Sequence, residues 1–110
     1  DDGVYRPFII LRQSIGRADM LNLKFKNQRQ RSFEYSHLYG MEYTPSEGKI
    51  QLTFSEHEIA ILGFKLADGY HHLLVHRVMQ IAEADSPTAK LLIHKSNEAV
   101  ITEIHISERT

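Results

Sequence analysis

Seven histidines stand in 110 residues, and three of them, His71, His72 and His76, lie close together. Imidazole both binds divalent metals and moves protons near neutral pH, so this cluster is the first place to look for chemistry. On a helix, His72 and His76 are four residues apart and share a flank, which lets two imidazoles meet one ion. His71 would sit about 100° around that helix from His72 and about 140° from His76, too far round to join them. A pair needs a third ligand, from His94, His105 or a carboxylate, and no spacing singles one out. His72 and His76 are the metal candidates, set against the plainer reading of histidines on an exposed rim.

Other groups of the right type are scattered. His57-Glu58-Ile59-Ala60-Ile61 begins like a zinc-protease motif but lacks the second histidine and falls in an expected hairpin. Ser55, His57 and Glu58 are residue types of nucleophilic catalysis, and a solvated turn explains them as well. Glu83 and Asp85 would suit paired acid–base work, with His37 as a partner, if burial or close like charge raised one pKa. A strand running into a loop explains the two acids equally. The six glycines are dispersed, so no phosphate-cradling loop exists and no cofactor is expected.

Two patterns point to partners. Lys24, Lys26, Arg29 and Arg31 place four cations on one strand and its turn, with Phe33, Tyr35 and Tyr39 close behind. Such a hairpin could follow a phosphate backbone and stack bases, which makes it the candidate surface for nucleic acid or another polyanion. Against this, the aromatics share a parity that suits a core, and lysine commonly guards exposed sheet edges. Tyrosine supplies half of the aromatic residues, and its ring suits surfaces that are partly apolar and partly wet. Tyr35, Tyr39 and Tyr43, on one parity of one strand, form the candidate protein-interaction surface.

The elements that must position these residues follow from the hydrophobic period. Phe8 to Leu11 reads as a short strand, and Leu21, Leu23 and Phe25 alternate with polar residues as in a strand with one wet face. The polar run Asn27 to Arg31 marks a turn. A long return strand spans 32–43, with Ser36-His37 and Gly40 as sites for a bend or bulge. Thr44-Pro45-Ser46-Glu47-Gly48 is the clearest turn. Ile50, Leu52 and Phe54, then Ile59 and Ile61 beyond a polar turn, form a half-buried hairpin. From Leu66 the period lengthens through Tyr70, Leu73 and Leu74, predicting a helix over 66–77, although Gly69 costs it about 1 kcal/mol relative to alanine. Val78 to Ala82 return to the extended pattern, 84–88 reads as a loop, and Leu91–Lys95 with Ala99–Ile106 read as a last hairpin. The sum is an α+β fold: a mainly antiparallel sheet of six to eight strands, as a roll or partly open barrel, with one amphipathic helix. One domain over 1–110 is expected, with 1–19 as an arm or an extra strand.

Leu21-Asn22-Leu23, Tyr35-Ser36-His37-Leu38, Leu52-Thr53-Phe54, Ile61-Leu62-Gly63 and His76-Arg77-Val78 fall in the order found in a group of short bacterial conserved hypothetical proteins, which the chain resembles over about residues 20–85. The resemblance implies a bacterial source and a self-contained domain. It carries no activity to any residue.

Composition sets the outer bounds. Apolar content of 42% and charged content of 25% are those of an ordinary globular protein, and a mean hydropathy of −0.34 opposes both disorder and membrane insertion. Net charge of −1 gives no global attraction to nucleic acid or acidic membranes. Cysteine is absent, which removes disulfides and thiolate sites and favours a reducing, cytoplasmic setting. No signal peptide is visible, and the chain opens Asp1-Asp2-Gly3 without methionine, as a trimmed or processed form would. The expectation is a protein-interaction or self-association module whose partner is a protein or a second copy. A polyanion binder comes second and a histidine-based enzyme or metal protein third.

Overall fold

The alternation at Ile50, Leu52 and Phe54 sends every second side chain to one face of a strand, and in the computed structural model all three are buried. The structure describes residues 4–12, 16–95 and 97–109. In chain order these form β1 (Phe8–Ile10), β2 (Met20–Lys24), β3 (Gln30–Glu34), β4 (Leu38–Thr44), β5 (Lys49–Phe54), β6 (His57–Phe64), α1 (Ala67–Leu74), β7 (Val78–Ala82), α2 (Ser86–Lys95) and β8 (Val100–Glu108).

The strands divide into two sheets of four instead of one sheet of six to eight. One has the order β4-β5-β6-β8 and is antiparallel throughout. The other has the order β1-β7-β2-β3 and is mixed, because β2 and β7 run parallel with Asn22 opposite Gln80 and Lys24 opposite Ala82. Hairpin reasoning does not reach a parallel pair whose strands lie more than fifty residues apart. Leu21 and Leu23 from one sheet and Ile50, Leu52, Ile59, Ile61 and Ile104 from the other belong to a single hydrophobic cluster. A radius of gyration of 13.4 Å agrees with the ~13 Å expected of a compact chain this long. The fold is thus α+β with two antiparallel-rich sheets and two helices among the described residues.

The long return strand is cut in two. Tyr35–His37 form a 3-10 turn, so β3 stays with the first sheet and β4 passes to the second. Leu38 pairs with Phe54 and Gly40 with Thr53, which leaves Tyr39 as an extra residue in the ladder. The segments Ser36-His37 and Gly40 were the expected places for such breaks. The consequence is larger than a kink, since the bulge turns the parity over and releases Tyr39 from the core.

Helix α1 ends with its apolar period at Leu74, short of the expected residue 77. The Arg77 N–H donates to the His72 carbonyl at 3.0 Å and the His76 N–H to the Leu73 carbonyl at 3.0 Å, while His76 adopts φ +58°. This is a Schellman ending with histidine in the left-handed position that glycine usually takes. Leu66, Gly69 and Leu73 are the buried residues of this helix and its cap, whereas Leu74 is exposed. A Cβ on Gly69 would lie 2.2 Å from the Phe8 ring, so the glycine that weakens the helix also lets it sit against β1.

The expected strand over Leu91–Lys95 is a helix instead. Asp85 accepts the Thr88 N–H on Oδ1 at 2.8 Å and the Ala89 N–H on its carbonyl at 2.9 Å, the pattern of an N-cap, and Pro87 follows in the first turn. Three adjacent apolar residues carry no period, so the local cap decided the structure.

Candidate functional site

The helix end separates the two metal candidates. His76 lies beyond α1, and its ring stacks on Tyr35 at 4.5 Å with an interplanar angle of 17°. His72 stays on the helix and lines a different hollow, beside Phe8 and Asp68. The four-residue helical spacing that would bring them to one ion is therefore lost. His105 bonds Glu103 at 2.9 Å, and no group of three or more histidines and carboxylates among the described residues is placed to hold a metal ion. Desolvation lowers the His76 pKa, and the nearby Arg17 charge lowers it further.

Ser55, His57 and Glu58 do not form a relay. His57 Nε2 meets the Arg31 guanidinium at 2.9 Å, and Glu58 accepts from Gln51 at 3.2 Å. Ser55 instead approaches a histidine that the reading of that turn did not include: its hydroxyl lies 3.4 Å from His37 Nδ1, and His37 Nε2 lies 3.0 Å from Glu34. These are the types of a Ser-His-Glu chain. His37 and Glu34 are both more than half exposed, so water competes for each contact, and neither His37 nor Ser55 lines any of the larger hollows. His37 is occupied with Glu34 and does not join Glu83 or Asp85.

The four cations point apart. Leu23 pairs with Arg31 and Lys24 with Gln30, so Arg31 shares the inner face of the sheet and Lys24 the outer. Arg31 lies over the Phe33 ring at 5.0 Å and Arg29 over Phe25 at 5.7 Å, while Lys26 Nζ donates to the Thr102 carbonyl at 3.2 Å. Of the four, Lys24 and Arg29 make no side-chain hydrogen bond or ion pair with any described residue, and Arg29 is placed on the Phe25 ring, which leaves Lys24 without either kind of contact.

The three tyrosines also separate. Tyr35 is only 3% exposed and donates its hydroxyl to the Val78 carbonyl at 2.5 Å; burial pushes its pKa up. It is a core residue, not a contact residue. Tyr43 is half-buried with its ring 5.3 Å from Tyr70. Tyr39 is 68% exposed.

The structure assembles a cleft that no single motif announces. It has a volume of about 430 Å³ and lies between the Tyr5–Arg6 segment, the turn after β2 and the segment from Glu83 into the first turn of α2 at Thr88. Tyr5 bridges the sheets: its hydroxyl donates to Ala82 in β7 at 2.7 Å and accepts the Ile101 N–H in β8 at 3.0 Å. Burial raises its pKa to about 12, so it stays neutral at physiological pH. Glu83 makes a second bridge, accepting the Lys26 N–H at 2.8 Å on one oxygen and the Ile104 N–H at 2.7 Å on the other. Asp85 is held below the usual carboxylate range by its bonds from Thr88. Glu83 and Asp85 thus come to one cleft with Lys24 and Lys26, but both acids serve as structural acceptors. The arrangement suits binding better than proton transfer. Tyr5 was missed because a tyrosine in a sequence shows nothing of where its hydroxyl will land.

Among the described residues, no helix is long and apolar enough to cross a membrane. Comparison of the chain with protein-family models, with curated proteins and with solved structures finds no match.

Proposed function

We propose that this domain works by binding an extended segment of another protein chain along β4, with Tyr39 as the anchor. The observation that carries the reading is a large aromatic side chain, 68% exposed, at a bulge in a strand that ends its sheet. An outermost strand offers backbone groups to an incoming chain, and tyrosine is among the residues enriched at the centres of interfaces. Helix α1 lies beside β4 with Tyr70 against Tyr43, the residues after it lie beside the turn before β4 with His76 against Tyr35, and Leu74 and Val75 between them are 52% and 47% exposed. Glu34, Glu42 and Glu47 are exposed before, within and after β4, so the complementary segment is apolar and basic. The same acids disfavour a phosphate backbone on this face, and the dispersal of the four cations disfavours one on the hairpin.

The test places a photocrosslinking amino acid at position 39 of the intact chain, with position 28 in the β2–β3 turn as control. A discrete adduct at 39 that is missing at 28 supports the reading, and its mass separates a second copy from a different protein. Equal adducts at both positions, or none at 39, overturn it.

A further inference from the structure

We propose that the cleft between Tyr5 and the β7–α2 loop binds a small oxyanion, a carboxylate or a phosphate, through Lys24 and Gln80. The proposal is independent of the β4 reading and rests on which polar groups in the cleft remain unengaged.

The carboxylates are engaged. Glu83 has a backbone N–H on each oxygen, and Asp85 caps α2. The Tyr5 hydroxyl both donates and accepts, and Lys26 directs its ammonium to Thr102. Arg6 and Gln28 also line the cleft and each is engaged, Gln28 Nε2 with the Lys26 carbonyl at 3.5 Å, which leaves Lys24 and Gln80. Lys24 Nζ has no hydrogen bond or ion pair with a described residue, and its side chain is half-buried. Gln80 Oε1 accepts from Asn22 Nδ2 at 2.9 Å, and Asn22 is itself fixed by Gln30 at 2.7 Å and Ser32 at 2.8 Å. That ladder holds the Gln80 amide by its oxygen and leaves its NH₂ without a partner among the described residues.

Register brings the two donors together. Asn22 pairs with Gln80 and Lys24 with Ala82 across adjacent parallel strands, so Lys24 and Gln80 are diagonal neighbours on the outer face of the sheet. Diagonal neighbours on a sheet stand about 7 Å apart at the backbone, within the reach of two long side chains closing on one ligand. Both line the cleft. An ammonium and an amide NH₂ with no internal acceptor call for an anionic oxygen, and the cleft volume suits a small molecule, not a polymer.

Inorganic phosphate and succinate are titrated separately into the intact protein at constant ionic strength, following by ¹H–¹⁵N NMR the backbone amides of Lys24, Gln80 and Ala82, which every variant keeps, and in the parent also the Gln80 side-chain amide. Saturable shifts with one or both probes are expected, and which of them saturates identifies the source of the oxyanion. Lys24→Met should weaken binding about ten- to hundredfold, the scale of a lost charged hydrogen bond, whereas Lys90→Met on α2, outside the cleft, should leave it unchanged. Gln80→Glu keeps the acceptor for Asn22 and replaces only the free donor with a carboxylate, so it should abolish binding while the fold persists. Shifts that never saturate with either probe overturn the proposal. So does binding that survives Gln80→Glu, or that falls equally with Lys90→Met.

Discussion

The two sheets have four strands each and were assembled by the chain in opposite ways. In β4-β5-β6-β8 three strands follow one another through tight turns, and inward residues alternate along β5 at Ile50, Leu52 and Phe54 and again along β6 at Ile59 and Ile61. In β1-β7-β2-β3 only β2 and β3 are consecutive, and β7 arrives from far along the sequence to lie between β1 and β2. The first kind of sheet is stabilised by local order. The second needs cross-links from outside itself. Tyr5, Glu83 and the Lys26 backbone provide them, and the cleft forms where they meet.

The largest expected effect lies in the locally built sheet, where the backbones have no slack. A Cβ on Gly63 would lie 2.1 Å from the Val100 carbonyl oxygen and 3.0 Å from Ile101 Cα, both main-chain atoms of β8. No side chain can rotate to make room. Gly63→Ala should therefore cost about 3 kcal/mol, read as a drop in the urea midpoint. A loss below about 1 kcal/mol would mean that the β6–β8 joint is softer than its neighbours, and the contrast between the sheets would weaken.

The cross-linked sheet is probed by Glu83→Gln. Glutamine has one acceptor oxygen where glutamate uses two, so one of the Lys26 and Ile104 amides would face an NH₂ group. The expected cost is about 2 kcal/mol, with faster hydrogen exchange at whichever amide loses its partner. Unchanged exchange at both would show that the sheets hold together without this bridge.

The same contrast explains what could be read in the residues. Ile50 to Ile61 were legible because a period of two over a tight turn is a local signal, and Leu66 to Leu73 because a period of 3.6 is another. The parallel pairing of β2 with β7 was not, since nothing in Asn22 or Gln80 names the other. Tyr39 was misplaced by a single inserted residue, which takes it out of the inward row, while Met41 and Tyr43 beyond it still pair with the buried Leu52 and Ile50. Leu91 to Ile93 misled because an apolar run of three has no period, while the cap signal stood six residues upstream at Asp85. For the candidate site, Lys24, Lys26, Glu83 and Asp85 were all visible as charged residues. Their convergence was not, because it depends on Tyr5 and on strand order.

A third measurement sharpens the junction between the sheets. His76 sits at φ +58°, stacked on Tyr35, with Arg17, Asp19 and Glu34 around the same hollow. Its folded-state pKa is lowered, so the native protein binds this proton less readily than the unfolded chain does. The stability it contributes is complete above the unfolded value near 6.5 and is lost as pH falls through the folded value. His76→Asn tolerates the left-handed backbone but gives up the stack, at about 1 kcal/mol near neutral pH. Urea midpoints measured at several pH values should fall less steeply on acidification in this variant than in the parent. Parallel profiles would remove His76 from the pH response.

The smallest expected effect is at Asp85, where the two kinds of construction meet in one residue. Its carboxylate caps α2, yet α2 packs chiefly on β8 and lends little to the common core. Asp85→Ala removes the acceptor for the Thr88 N–H, so exchange should quicken across the first turn of α2 while Glu83, two positions before the helix cap, keeps its two bonds to Lys26 and Ile104. The cap is strongest when the carboxylate is ionised, and its pKa is lowered, so its contribution persists to lower pH than for an ordinary aspartate and is lost only as pH falls through that lowered value. The global urea midpoint should move less than in any of the other variants. If the cleft loosens along with the helix start, seen as faster exchange at Lys26 and Ile104, then α2 belongs to the cross-linking system that holds the discontinuous sheet, and the division between the two sheets has to be redrawn to include it.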